Sequence, residues 1–118
     1  MMPFSTYEEA VQFIENNEAA LLYFFNDNCE PCKVLRPKVI ELVQTTFPHI
    51  KTGFIDSEHS PAMASGFNVF SNPTLIVFFE GKEYLRASKY VSIPQLRQDI
   101  DRIYSLMFGG ENQAFKIV

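Results

Sequence analysis

Two cysteines two residues apart, Cys29-Glu30-Pro31-Cys32, are the residues of this chain best placed to do chemistry, and they are its only cysteines. A thiol reacts as its thiolate, which is stabilised where free backbone N–H groups and the positive end of a helix dipole face it. The flanking residues supply such a place. Ala20-Leu21-Leu22-Tyr23-Phe24-Phe25 ahead of the pair is the apolar run of a buried strand, and Lys33 to Phe47 behind it has helical spacing. Cys29 then lies at the exposed end of the helix as the nucleophile, and Cys32, one turn in, is close enough to resolve the bond that Cys29 forms. Zinc ribbons and ferredoxins also use Cys-x-x-Cys, but those sites need about four ligands, and no second pair is present.

Composition removes several other classes. A chain of 118 residues, 47% hydrophobic, is long enough for one core and too short for two. The net charge is −4 and the ten basic residues are scattered, so no footprint for nucleic acid or an anionic membrane surface is expected. The first residues, Met1 to Glu9, do not place a basic segment before an apolar one, and no run approaches the ~18 apolar residues of a membrane span. A cytoplasmic, reducing setting is the expectation, one in which a lone cysteine pair is catalytic more often than structural.

The elements that must position the pair follow from periodicity. Ser5 with Glu8 has the spacing of a capping box, and Tyr7, Ala10, Val11, Phe13 and Ile14 predict a helix ending near Asn16. Ala19 to Phe25 predicts a central strand buried on both faces, which requires helices on both sides of the sheet. Val34, Leu35, Val39, Leu42 and Val43 give the helix after the cysteines, with Pro37 inside it. His49 to Asp56 predicts a strand, Pro61 to Phe67 a short helix and Thr74 to Phe79 a strand. Glu80-Gly81-Lys82 turns the chain into an antiparallel edge over Glu83 to Ala87. Ile93, Leu96, Ile100, Ile103, Tyr104 and Met107 then trace one face of a last helix that Gly109-Gly110 stops. The expected architecture is an α/β fold, a three-layer α/β/α sandwich with a mixed central sheet over residues 1–110, followed by a tail at 111–118. Phe115 and Ile117 fall on one side of an extended chain, so the tail is set between fraying and docking.

Over residues 4 to 108 the chain resembles the thioredoxin family. The resemblance rests on the strand leading into Cys29-Glu30-Pro31-Cys32, on Pro37, on Asp56 closing the next strand, and on Asn72-Pro73-Thr74 opening the strand before Glu80-Gly81-Lys82. It implies the thioredoxin fold, a cis peptide at Pro73 lying against the redox pair, and thiol–disulfide oxidoreductase activity in cell redox homeostasis and electron transport. Cys29 would be the nucleophile, Cys32 the resolving thiol, Pro31, Glu30 and Pro73 their support, and Asn28, Asn72 and Pro73 the substrate-facing residues. The expected partners are protein disulfides and an electron donor of the thioredoxin reductase kind, with no cofactor beyond the Cys29–Cys32 disulfide and no metal.

The sequence also departs from the family. Asn28 stands where a tryptophan is usual, Tyr23 where the family has a buried carboxylate, Thr52 where that carboxylate has its lysine, and the flexible glycine of the substrate groove is replaced near Lys89. The missing carboxylate leaves open how Cys32 loses its proton. Glu30 puts a negative charge beside Cys29, which disfavours the thiolate and suits a reductant. Such pairs run from about −270 mV in thioredoxins to about −120 mV in strong oxidants, and the reducing half is expected here.

Other residues have plainer readings. Asp27 and Glu30 are solvated turn carboxylates rather than proton carriers, and Lys51 is a solvated cation rather than a partner under the site. His49 and His59 are loop residues remote from the cysteines, and Phe24, Phe25, Phe54, Phe78 and Phe79 are core. Two further functions remain open: an adaptor gripping a partner protein over the cysteine face without turnover, and a carrier binding a soft ion through two thiolates, which close a poor site.

Overall fold

A computed structural model describes residues 2 to 109 of the chain; the expectation for the tail at 111–118 lies outside the described residues. The elements in chain order are β1 (Met2–Pro3), α1 (Tyr7–Glu15), β2 (Ala19–Phe25), α2 (Glu30–Thr46), β3 (Lys51–Asp56), α3 (Pro61–Gly66), β4 (Thr74–Phe79), β5 (Lys82–Ser88) and α4 (Ile93–Phe108). Because side chains alternate along a strand, the apolar run of β2 must feed two cores at once. Ala19, Leu21 and Tyr23 face α2 and α4, packing with Val39, Leu42 and Ile100. Ala20, Leu22 and Phe24 face α1 and α3, packing with Ala10, Ile14 and Met63. The result is the three-layer sandwich.

The sheet runs β1-β3-β2-β4-β5. β3 is parallel to both β1 and β2, whereas β4 is antiparallel to β2 and to β5, so the sheet is mixed. Register then builds the site. Phe25, at the end of β2, lies opposite Asp56 at the end of β3, and Phe24 lies opposite Thr74 at the start of β4. The loops carrying the cysteines, Ser57 and Pro73 therefore leave the strands at one end of the sheet. At the other end Glu80 (φ 52°) and Gly81 (φ 82°) make the two-residue turn with both central residues left-handed that the twist of a β4–β5 hairpin favours.

Several boundaries differ from expectation. The capping box belongs to Thr6 and Glu9, one residue on from Ser5 and Glu8: the Glu9 amide donates to Thr6 Oγ1 at 3.1 Å, and Glu9 Oε1 accepts from the Thr6 amide at 3.2 Å. The segment carries two overlapping Ser/Thr-x-x-Glu spacings, and burial of Ala10 and Ile14 accompanies the second. Helix α2 begins at Glu30 rather than Lys33, because the Cys29 side chain caps it and Pro31 suits a first turn. Strand β3 begins at Lys51 rather than His49, since Phe47 to Ile50 form a turn closed by a 3.0 Å hydrogen bond from the Ile50 amide to the Phe47 carbonyl. The two-residue β1 was not expected.

Candidate active site

Cys29 is the N-cap of α2, in extended backbone conformation, and the Cys32 amide donates to its sulfur at 3.1 Å. The two sulfurs form a disulfide of 2.08 Å across a Cα separation of 5.2 Å. Cys29 retains 9% of its surface and Cys32 none, so an external thiol or disulfide can approach through Cys29 alone. The turn before the pair is built by Asn26, whose side-chain oxygen accepts from the Asn28 amide (2.9 Å) and whose carbonyl accepts from the Cys29 amide (3.2 Å). Sequence reasoning passed over Asn26, although an Asn two residues before another turn residue is the usual signal for such a loop. Asn28 is exposed beside the pair. Glu30 points into solvent, its side chain 81% exposed and 3.5 Å from Lys33 Nζ.

The Asn72–Pro73 peptide bond is cis, and Pro73 is buried. The half-buried Asn72 is fixed by Ser57, whose hydroxyl donates to Asn72 Oδ1 at 3.0 Å, while the Ser57 amide donates to the Phe25 carbonyl at 2.8 Å. Pro73 is tied on its other side by the Lys89 amide, which donates to its carbonyl at 2.9 Å. Lys89 has φ 62°, a conformation that favours glycine, close to where the resemblance implies a flexible glycine in the family. From Glu30 and Pro31 an open groove of about 1240 Å³ runs along α2 between Val34 and Lys38 on one side and Tyr90 and Val91 on the other. Tyr90 is 96% exposed.

Beneath the disulfide lies a polar pair that sequence reasoning only half identified. Tyr23 is fully buried and donates from its hydroxyl to the Cys32 carbonyl at 2.9 Å. Burial pushes its hydroxyl up to about 12 against a smaller opposing pull from Arg36, so it stays neutral through the ordinary pH range. The Arg36 guanidinium lies 4.5 Å from the centre of the Phe25 ring, and its Nε is buried without a hydrogen-bond partner. The signal for Arg36 was its place four residues after Cys32, which puts both on one helix face.

The remaining candidates divide. Lys51 is exposed and begins β3, and His49 lies just before it, far from the cysteine end of that strand; His49 stacks on Phe108 at 4.6 Å. His59 is exposed as expected but sits nearer the site than chain order implied: its Nδ1 is 2.7 Å from Asp56 Oδ2, and Asp27 reaches the same cluster with ligand atoms within 4.8 Å of one another. Burial works against the Asp56 charge, but the His59 ring and the amides of His59 and Glu58 outweigh it and hold the carboxyl below its ordinary value. The same contact with Asp56 raises His59. No helix among the described residues is long and apolar enough to cross a membrane.

The sequence pattern of the thioredoxin family matches residues 3–102. The chain is 33% identical to the thioredoxin-like protein YdfQ of Bacillus subtilis over 97 residues, covering 82% of this chain and 86% of that protein. It is 42% identical to a thioredoxin of Chlamydia trachomatis over 67 residues, covering 57% of this chain and 65% of that one. Its fold superposes on a mutant thioredoxin from Halobacterium salinarum with a TM-score of 0.76 at 26% identity, covering 86% and 88% of the two chains. With a disulfide at the helix start and this likeness over most of its length, the chain belongs to the thioredoxin family, whose paired cysteines carry thiol–disulfide redox chemistry.

Proposed function

We propose that the protein is a reductase of protein disulfides. In the reduced form the Cys29 thiolate attacks one sulfur of a substrate disulfide; the substrate S–S bond breaks, a Cys29–substrate disulfide forms, and the departing sulfur takes up a proton. Cys32 then attacks Cys29 Sγ, the mixed disulfide breaks, and the second substrate sulfur leaves as a thiol. Two electrons pass from the dithiol to the substrate, and an external dithiol, supplied in the cell by a donor of the thioredoxin reductase kind, restores the starting state.

The observation that carries this reading is the Cys32 amide on Cys29 Sγ at 3.1 Å, at a helix N-terminus where Cys29 alone of the pair keeps any accessible surface. A hydrogen bond and a dipole aimed at the outer sulfur favour its charge over that of the inner one. Asn28, Asn72 and Pro73 would border the bound substrate, with the groove past Val34 and Tyr90 receiving its flanking chain. A reducing compartment such as the cytoplasm suits this direction of flow. Reduction of insulin with dithiothreitol as electron source is the test. Turnover well above the dithiothreitol background, lost in Cys29→Ser and in Cys32→Ser, is expected. An adaptor or a metal carrier would leave insulin intact.

A further inference from the structure

The resolving step asks a fully buried sulfur to become an anion. Cys32 has no exposed surface, its own amide is committed to Cys29 Sγ, and a thiolate in apolar surroundings is disfavoured. The charged and titratable groups around it are few. On β2, Tyr23 holds the Cys32 carbonyl and keeps its proton. On α2, Glu30 and Lys33 pair with each other in solvent, and at the ends of β2 and β3 Asp27, Asp56 and His59 form a cluster of their own. Lys89, on the connection to α4, is exposed. That leaves Arg36. It lies one helical turn after Cys32, on the same helix face, and helical side chains lean toward the preceding turn, the one that holds the cysteine. Its charge opposes the rise of the Tyr23 hydroxyl, the group bonded to the Cys32 carbonyl, and its guanidinium sits 4.5 Å from the centre of the Phe25 ring, at the end of the strand that leads into the cysteines. Its buried Nε has no partner while the sulfurs are joined and uncharged.

We propose that Arg36 is a positioning residue for the second half of the reaction, the fixed positive charge that stabilises the Cys32 thiolate while Tyr23 anchors the Cys32 backbone. This rests on the reductase reading above. A guanidinium cannot accept a proton, so Arg36 works by charge and not as a base. Cys32 gives its proton to water, its sulfur bonds to Cys29 Sγ, and the Cys29–substrate bond breaks with the electron pair leaving on the substrate sulfur.

The test uses the reduced protein with one equivalent of 5,5′-dithiobis(2-nitrobenzoate), followed by stopped-flow absorbance across pH. Attack by Cys29 releases a first nitrothiobenzoate, and resolution by Cys32 releases a second. Replacing Arg36→Gln, or Arg36→Met to keep a long uncharged side chain beside Phe25, is expected to move the pH midpoint of the second phase up by about one unit, or to slow that phase about tenfold below the midpoint. The first phase should change much less, and Arg36→Lys should restore the wild-type midpoint. An unmoved midpoint in both uncharged variants overturns the proposal, as does a shift in Arg36→Lys equal to that in Arg36→Gln. A wild-type protein that never releases the second nitrothiobenzoate would instead overturn the reductase reading itself.

Discussion

The two cores on either side of the sheet are made from one strand and differ in kind. On the α1/α3 face, Ala20, Leu22 and Phe24 meet Ile14, Met63, Phe67 and Ile76, all of them apolar. On the α2/α4 face, the alternate residues Leu21 and Tyr23 meet a comparable set of apolar side chains, but Tyr23 brings a hydroxyl to the Cys32 carbonyl and Arg36 leaves a buried donor without a partner. Unpaired buried donors cost stability, about 1 to 3 kcal/mol each. One face is therefore built for cohesion, and the other gives up some cohesion under its reactive disulfide.

Mutations on the two faces should separate these roles. Phe24→Ala removes a fully buried ring that packs edge-on to Phe67 at 5.9 Å. It should cost about 3 to 5 kcal/mol and lower the Tm by more than about 10 °C. Cysteine reactivity measured well below the transition should stay as in the wild type, and a changed order of thiol reactivity there would break the separation. Tyr23→Phe, one residue away on the opposite face, keeps the ring and strands the Cys32 carbonyl. A loss of about 1 to 2 kcal/mol is expected by denaturant titration, together with altered kinetics of Cys32.

Alkaline pH sharpens the same contrast. Because the Tyr23 hydroxyl rises from 10.0 to about 12 in the folded protein, the unfolded chain releases this proton first. Its contribution is whole below pH 10 and declines above it. Stability followed from pH 9 upward should fall less steeply in Tyr23→Phe than in the wild type; parallel curves would mean that the phenol is not the group responsible.

Smaller effects belong to the surface. Removing a neighbouring carboxylate in Glu30→Gly favours the Cys29 thiolate, but the carboxylate is solvated and paired with Lys33. The midpoint of thiolate absorbance against pH should therefore fall by less than about half a unit. The smallest change is expected for His59→Asn. A lowered Asp56 stabilises the fold above the ordinary carboxylate range and loses that effect as pH falls through its folded value; a raised His59 stabilises below its ordinary value and loses the effect as pH rises through its folded one. The Tm difference from wild type should peak between about pH 4 and 6.5, at no more than about 2 °C, and vanish on either side.

How far the chain could be read residue by residue depended on whether a local signal had competition. Strands β2 and β4 were legible to the residue because continuous apolar runs bounded by Asn, Pro and Gly admit little else. The α1 cap slipped by one because two capping-box spacings overlap, and α2 was started late because a cysteine is not ordinarily read as a cap. Strand β1 carries no signal in two residues, since only pairing with Gly53 and Phe54 defines it. The cysteine pair was plain from spacing and context. Arg36 was not, because a cation in a helical pattern reads as solvated, and its guanidinium is covered by Phe25, on a strand that only the fold brings beneath α2. The approach of His59 and Asp27 likewise depends on the register that sets Phe25 against Asp56.

The division of labour between the two thiols is tested most directly by alkylating the fully reduced protein with limiting iodoacetamide near neutral pH and locating the label by peptide mass. Cys29, which keeps 9% of its surface at the helix start and has the Cys32 amide aimed at its sulfur, should be modified at least about tenfold faster than the fully buried Cys32. Faster labelling of Cys32 would contradict the assignment of attack to Cys29 and resolution to Cys32.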